Sequence, residues 1–239
     1  MKVAINGANG KMGRLAQTAL GNAKEFEIVG LWGRGDDLAG KIEETKPAVV
    51  IDFTLASVVS QNTRTIIEKG VCPVIGTSGL KKDELATFAN LCASNGGSGL
   101  VVPNFSITAV LMMKYAQDAA RYIKNVELVE FHHEKKEESP SGTALKTIEM
   151  MSESHLESRS RGEELFEGSL GGQYLNVPVH SVRMPGFVAA QEVIFGSEGE
   201  TLVLKSSATN RDAFKNGIRL ACLKAPSLGR FASGLEHVL

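Results

Sequence analysis

The chain has 239 residues, 43% of them hydrophobic and 22% charged, with a formal net charge of -1. That is ordinary globular usage, with enough length to bury a core in one or two domains. No basic block is present, so the electrostatic footprint of a nucleic-acid binder is missing and no nucleic acid is expected as a partner. Cys72, Cys92 and Cys222 are scattered without a Cys-x-x-Cys spacing, which argues against a disulfide framework and a structural zinc, and no metal is expected. The N-terminus runs straight into a strand, and no apolar run reaches membrane-spanning length. A cytoplasmic protein that does not enter a membrane is the expectation.

The first element is a buried strand, Lys2 to Asn6, followed by Gly7-Ala8-Asn9-Gly10-Lys11-Met12-Gly13 and a helical run, Arg14 to Leu20. This is a Gly-x-x-Gly-x-x-Gly variant of the dinucleotide fingerprint in its strand-to-helix context. Its glycines permit a tight turn and close approach to a pyrophosphate, while the helix N-terminus offers N–H donors and a positive dipole end. A second strand, Glu27 to Trp32, ends in Gly33-Arg34-Gly35-Asp36. In a Rossmann domain the residue just past this strand reads the adenosine ribose, and Arg34 could pair with the 2′-phosphate of NADPH. A solvated turn arginine is the plain alternative.

Further strands are expected at Ala48 to Phe53, Val71 to Ile75 and Leu100 to Val102, with helices at Ser57 to Lys69 and Lys81 to Asn95 between them. Thr54 is expected to cap the first of these helices, and Gly96-Gly97 to stop the second. In a parallel sheet, ligands sit at the carboxyl ends of the strands. The Gly7 turn, Phe53-Thr54, Gly76-Thr77-Ser78 and Pro103-Asn104-Phe105 should therefore face one crevice, where a single cofactor could touch all four.

After a helix from Ile107 to Tyr122 the pattern changes. A strand, Val126 to Phe131, leads into His132-His133, a charge cluster and Ser139-Pro140-Ser141-Gly142-Thr143 before a helix from Thr143 to Glu157. A polar stretch, Ser158 to Gln173, reads as a loop. Three strand-like runs follow, Val177 to Arg183, Phe187 to Phe195 and Thr201 to Ser206, and their consecutive spacing reads as hairpins in a mostly antiparallel sheet. A last helix, Arg211 to Lys224, is expected to pack back on the first domain near Asn104. The domains are then 1–104 with 212–239, and 105–211.

The segment from Val129 to Leu145 carries the chemistry. Ser141 and Thr143 can cap the following helix, whose N-terminus is a seat for a carboxylate or phosphate. Lys135, Lys136 and the two histidines add positive charge beside it. A small anionic substrate bound there, with a proton donated to it, is the functional reading. A solvated charged loop ahead of a well-capped helix is the bland one.

These residues resemble the 4-hydroxy-tetrahydrodipicolinate reductase family of the bacterial lysine and diaminopimelate pathway. Glu-x-His-His-x-x-Lys and Ser-Pro-Ser-Gly-Thr-Ala-Leu carry the likeness, and Gly7 to Gly13, Asp52-Phe53-Thr54, Gly76 to Gly79, Asn104-Phe105-Ser106 and Ser206 to Gly217 extend it in order over most of the chain. The resemblance implies an α/β fold: a Rossmann-type parallel-sheet domain and an α+β substrate and oligomerisation domain with an open mixed sheet. It implies a small dicarboxylate substrate, a homotetramer, and NADPH or NADH as cofactor. By carry-over, His132 and Lys136 are catalytic, and His133, Lys136, Ser141, Gly142 and Thr143 bind substrate. Cofactor contacts are implied for Gly7, Asn9, Gly10, Lys11, Met12, Gly13, Arg34, Phe53, Thr54, Gly76, Thr77, Ser78, Pro103, Asn104, Phe105, Arg211 and Phe214.

The implied chemistry suits these residue types. The substrate loses water to give a conjugated imine, a hydride adds, and a proton must follow. A cationic acid near the accepting atom lowers that barrier by about 10²- to 10⁴-fold. His132 or Lys136 could be that acid. This chain departs from the family in having Gly33 before Arg34, where many relatives have an acidic residue, and in Glu134-Lys135 between the catalytic positions. Two other readings fit the cofactor motif: another NAD(P)-dependent imine or amino-acid dehydrogenase, and a non-catalytic NAD(P) sensor.

Overall fold

The short apolar runs of the N-terminal half are buried on both faces, as parallel strands must be when helices cover them. A computed structural model describes residues 1–157 and 162–239. The described chain divides into two compact units, 1–107 with 211–239, and 108–210.

The first unit opens with β1 (Lys2–Asn6), α1 (Lys11–Gly21), β2 (Glu27–Trp32), α2 (Leu38–Thr45), β3 (Val49–Asp52), α3 (Val59–Glu68), β4 (Cys72–Ile75), α4 (Lys82–Ser94) and β5 (Gly99–Val101). The helix α2 was not expected. Gly40 lowers its propensity and only Ile42 is buried, so its apolar period is weak. Gly96-Gly97 does stop α4: Gly96 adopts φ +61°, its N–H donates to Ala93 O at 3.2 Å, and that of Gly97 to Cys92 O at 2.8 Å. This double closure satisfies carbonyls that a helix end leaves over. Thr54, by contrast, does not cap α3, which starts after Val58 without a side-chain cap. Its hydroxyl donates instead to Asp52 Oδ1 at 2.7 Å, because a carboxylate with no solvent exposure needs donors more than an accessible helix end does.

The second unit contains most of α5 (Ile107–Ala119), then β6 (Asn125–His132), α6 (Gly142–Ser152), β7 (Gly172–Tyr174), β8 (Val177–Arg183), β9 (Ala189–Ser197) and β10 (Glu200–Ala208). Its sheet order is β10-β9-β6-β8-β7, with β6 and β8 parallel and the other neighbours antiparallel. Only β9 and β10 form the expected hairpin, around Glu198-Gly199. The run after Pro185-Gly186 does not pair with the run before it, because β6 lies between β8 and β9. The link from 184 to 188 instead passes over the end of β6, and Met184 N–H donates to His132 O at 3.1 Å. Of the stretch expected as a loop, Ser158 to Arg161 lie outside the described residues. In the described remainder, Glu164 accepts from the N–H groups of Gly168 and Leu170, and β7 begins at Gly172.

Alternation along β6 sends Val126, Leu128, Glu130 and His132 to one face. There Val126 and Leu128 join Met112, Met113 and Ala116 of α5 and Ala144, Ile148 and Met151 of α6 in one apolar core. Val129 and Phe131 face the other way and are half-buried.

The chain then returns to the first unit through a 3₁₀ turn (Arg211–Phe214), α7 (Lys215–Lys224) and β11 (Phe231–Ser233). The completed six-stranded sheet runs β11-β5-β4-β3-β1-β2, all parallel. The helix α7 packs on α1, where Arg219 Nε donates to Ala19 O at 2.7 Å. It also lies against the loop after β5, where a Cβ on Gly217 would stand 1.9 Å from Phe105 O. Among the described residues no helix is long and apolar enough to cross a membrane.

Candidate active site

In the first unit, the loops after β1, β3, β4 and β5 meet. Gly7 adopts φ +81°, and a Cβ there would stand 2.4 Å from Phe53 O; one on Gly13 would stand 2.2 Å from Gly7 O. Both glycines are thus required by close backbone packing. Gly76 lies against the rings of Phe53 and Phe105, whose centroids are 5.5 Å apart. Beneath them Asp52 accepts from Asn6 Nδ2 at 2.9 Å, Asn62 Nδ2 at 2.9 Å, Thr54 N–H at 3.0 Å and Thr77 Oγ1 at 2.7 Å. Asn104 Oδ1 likewise accepts from Ser106 N–H at 2.8 Å, fixing the turn after β5.

The N-terminus of α1 has Gly10 at its cap and no side-chain partner. It opens on a hollow of about 430 Å³ lined by Gly7, Asn9, Gly10, Arg34, Phe53 and Thr54, together with Gly33, Asp36 and the apolar Leu38, Leu55 and Val58. A helix end with uncapped N–H groups, glycines where a Cβ would clash, and an exposed arginine fit a dinucleotide phosphate chain. Lys11 and Ser78 are exposed beside this loop set, Met12 is half-buried and Gly13 is buried. Gly76, Thr77, Ser78, Pro103, Asn104 and Phe105 do not line the hollow. Gly76 and Phe105 pack on Phe53, which does line it, and Thr77 Oγ1 donates to Asp52. Arg211, exposed, and Phe214, half-buried, sit on the turn before α7 and do not line it either.

In the second unit, the end of β6 carries a buried ionic group. Glu130 has no solvent exposure. Its carboxylate accepts from His132 Nδ1 on one oxygen and from Arg183 Nη2, at 2.7 Å, on the other. Burial alone would raise this carboxyl, but the hydrogen bonds from His132, Arg183 and Ser181 outweigh it and hold the group down at about 2. Arg183 extends further: its Nε donates to Lys136 O at 3.3 Å and its Nη2 to Glu138 O at 2.8 Å. Lys136 N–H closes a turn on His133 O at 3.1 Å. The Lys136 ammonium lies 3.6 Å from the carboxylate of Glu138, whose side chain is 84% exposed. Such a pair holds the lysine only weakly.

Ser141 caps α6, its Oγ accepting from Ala144 N–H at 3.2 Å. Thr143, the other proposed cap, is already inside the helix, where its carbonyl accepts from Thr147 Oγ1 at 2.7 Å. Gly142 is exposed, and a Cβ there would meet nothing within 4 Å. His133 and Lys135 are exposed as well. Gln191, opposite Glu130 on β9, donates to Thr147 Oγ1 at 2.8 Å, while its Oε1 is buried with no partner among the described residues. Nor do the described residues include a group of three or more His, Cys, Asp or Glu side chains that could hold a metal.

Sequence reasoning singled out His132, His133, Lys136 and Ser141 to Thr143, gave Glu130 and Asp52 no role beyond their place in the family motifs, and passed over Arg183 and Gln191. A signal existed for Glu130, since a residue two before His132 on a strand shares its face. A signal also existed for Asp52, a lone charge in an apolar run. Arg183, 53 residues from Glu130, carries no local sign of its role.

Comparison with known proteins identifies relatives over the whole chain. Residues 1–105 match the model of the dihydrodipicolinate reductase N-terminus, and residues 108–239 that of its C-terminus. A 4-hydroxy-tetrahydrodipicolinate reductase of Legionella pneumophila (strain Lens) is 44% identical over 100% of this chain and 99% of its own. One from Coxiella burnetii (strain RSA 493 / Nine Mile phase I) is 43% identical with the same coverage. A dipicolinate-bound dihydrodipicolinate reductase from Paenisporosarcina sp. TG-14 superposes with a TM-score of 0.93 at 34% identity, over 100% of this chain and 99% of that one. With both family models and full-length relatives in agreement, this chain belongs to the dihydrodipicolinate reductase family.

Proposed function

We propose that this chain is an NAD(P)H-dependent reductase that converts 4-hydroxy-tetrahydrodipicolinate, by way of dihydrodipicolinate, to tetrahydrodipicolinate in lysine and diaminopimelate biosynthesis in the cytoplasm. Family membership supports the reaction. The observation that carries it at the site is a carboxylate-braced imidazole, a lysine and a capped helix N-terminus on one segment, from Glu130 to Thr147. That combination suits an anionic molecule that must gain a proton.

In this reading the first unit holds the cofactor. Gly7 to Gly13 and the α1 N-terminus take the pyrophosphate, and Arg34 reaches the adenosine ribose. Phe53, Thr54, Gly76 to Ser78 and Pro103 to Phe105 form the wall toward the nicotinamide, with Arg211 and Phe214 completing it. The bound nicotinamide supplies a hydride. In the second unit, a substrate carboxylate rests on Ser141, Gly142 and Thr143 at the positive end of α6, with His133 and Lys136 supplying countercharge. His132 or Lys136 delivers the proton. With Gly33 rather than a carboxylate before Arg34, NADPH serves at least as well as NADH.

The same reading makes the open face of the second sheet an interface between copies in a homotetramer. Half-buried Val129, Phe131, Val182 and Ile194 and half-exposed Val203 lie in that sheet, an apolar surface that association would cover. A coupled assay tests the activity: freshly generated substrate, followed by nicotinamide absorbance. Turnover with NADPH or NADH is expected, and its absence with both would overturn the reading.

A further inference from the structure

The reaction assigned above leaves Glu130 and Arg183 without a part, yet both are heavily bonded charges in the second unit. A buried carboxylate is costly unless donors surround it. Glu130 has three: His132 Nδ1, Arg183 Nη2 and the Ser181 hydroxyl. A carboxylate held ionised can only accept hydrogen bonds. The imidazole nitrogen facing it must therefore carry a proton, which leaves Nε2 as the nitrogen that can exchange one with a bound molecule. The opposite oxygen is joined to Arg183, and the same guanidinium ties down the carbonyls of Lys136 and Glu138. One buried ion pair thus reaches both proposed catalytic groups.

We propose that Glu130 and Arg183 are positioning residues: Glu130 fixes His132 with Nδ1 protonated and Nε2 presented to the substrate, and Arg183 couples that carboxylate to the turn bearing Lys136. The inference deepens the reductase reading and rests on it for its catalytic consequence, but its geometric half stands apart. Met184 N–H on His132 O fixes the backbone at the same point, and the bond to Glu130 holds the ring on it. Neither residue touches substrate in this assignment, and neither is a proton donor.

The experiment has two arms. The first needs no turnover. Side-chain ¹⁵N–¹H correlation spectra of the wild-type protein, with the His132 signals identified by their loss in His132→Asn, should show Nδ1 protonated across the neutral range. An Nδ1 found bare, with the proton on Nε2 alone, would overturn the proposal whatever the enzyme does. The second arm compares Glu130→Gln, Glu130→Asp and Arg183→Lys with wild type. Glu130→Gln should lower kcat by about tenfold or more, the lower end of what losing an imidazole-orienting carboxylate costs. KM for the dicarboxylate and the Kd of NADPH should both move less than about threefold, since neither contact is removed. Glu130→Asp, keeping the charge, should recover part of kcat, and Arg183→Lys should lower it. Unchanged kcat in folded Glu130→Gln would refute the positioning role. A wild type inactive with the substrate would refute the reductase reading while leaving the spectra to decide the geometry.

Discussion

The backbone N–H of Gly33 donates to the Asp36 carboxylate at 2.8 Å, and both residues line the hollow beside Arg34. The end of β2 therefore carries an anion and a cation within the same short turn. An arginine on a 2′-phosphate gains about 1.5–3 kcal/mol when well placed, less at an exposed site where salt screens it. Wild type should use NADPH at least as well as NADH without strict choice, because Asp36 can still accept from ribose hydroxyls. Arg34→Ala should remove the NADPH advantage, most visibly at low salt, in kcat/KM measured for both cofactors. A wild-type preference for NADH of about tenfold, near 1.4 kcal/mol, would show that this turn does not read the phosphate.

Lys136→Ala should lower kcat far more than it weakens NADPH binding, since the proposed cofactor contacts belong to the other unit. Lys135→Ala is the matched control. Lys135 is exposed and its loss should be mild. Equal kcat in both variants and wild type would remove Lys136 from the chemistry.

The buried Glu130 carboxyl also predicts an acid limit to stability. Its folded value of about 2 lies below the ordinary 4.5, so the stabilisation it gives is complete above about pH 4.5 and is lost as pH falls toward about 2. The amount is on the order of 3 kcal/mol. Melting curves between those limits should show wild type losing Tm faster than Glu130→Gln, which has no carboxyl to titrate there. Parallel curves would contradict the assignment.

Gly217→Ala should destabilise the first unit, because the added Cβ meets the backbone carbonyl of Phe105 at 1.9 Å and neither chain can yield cheaply. Forcing apart well-packed elements costs about 1–3 kcal/mol, or a drop of roughly 2–12 °C in Tm for a chain of this size. Gly196→Ala is the comparison, having nothing within 4 Å of its Cβ. An unchanged Tm in Gly217→Ala would mean that α7 can move off the β5 loop.

Association can be tested on the open sheet. Light scattering at micromolar protein should give a mass of four chains, and Val203→Lys, at a half-exposed position of β10, should lower that mass. A fully active monomer would sink the proposed assembly.

The elements that local pattern determines were legible in the sequence. Continuous apolar runs gave β1, β3 and β4, and Gly96-Gly97 the end of α4. What escaped depends on distant partners. Nothing near Pro185-Gly186 reveals that β6 will slip between the strands it joins, because strand order is decided by what pairs across the sheet. Thr54 has the composition of a cap, yet the unmet carboxylate of Asp52 claims it. His132 could be picked out by its neighbours in sequence, whereas its brace closes only when Arg183 arrives from another strand.

Asp52 links parts of the crevice that look separate along the chain. Asn6, Thr54, Asn62 and Thr77 belong to four different segments, and each gives a hydrogen to the same enclosed carboxylate. To shift any one of those segments is to strip a donor from a charge that water cannot reach. The hollow that Asn6, Thr54 and Asn62 line is thereby held in shape by an enclosed charge, so binding has little ordering left to do there.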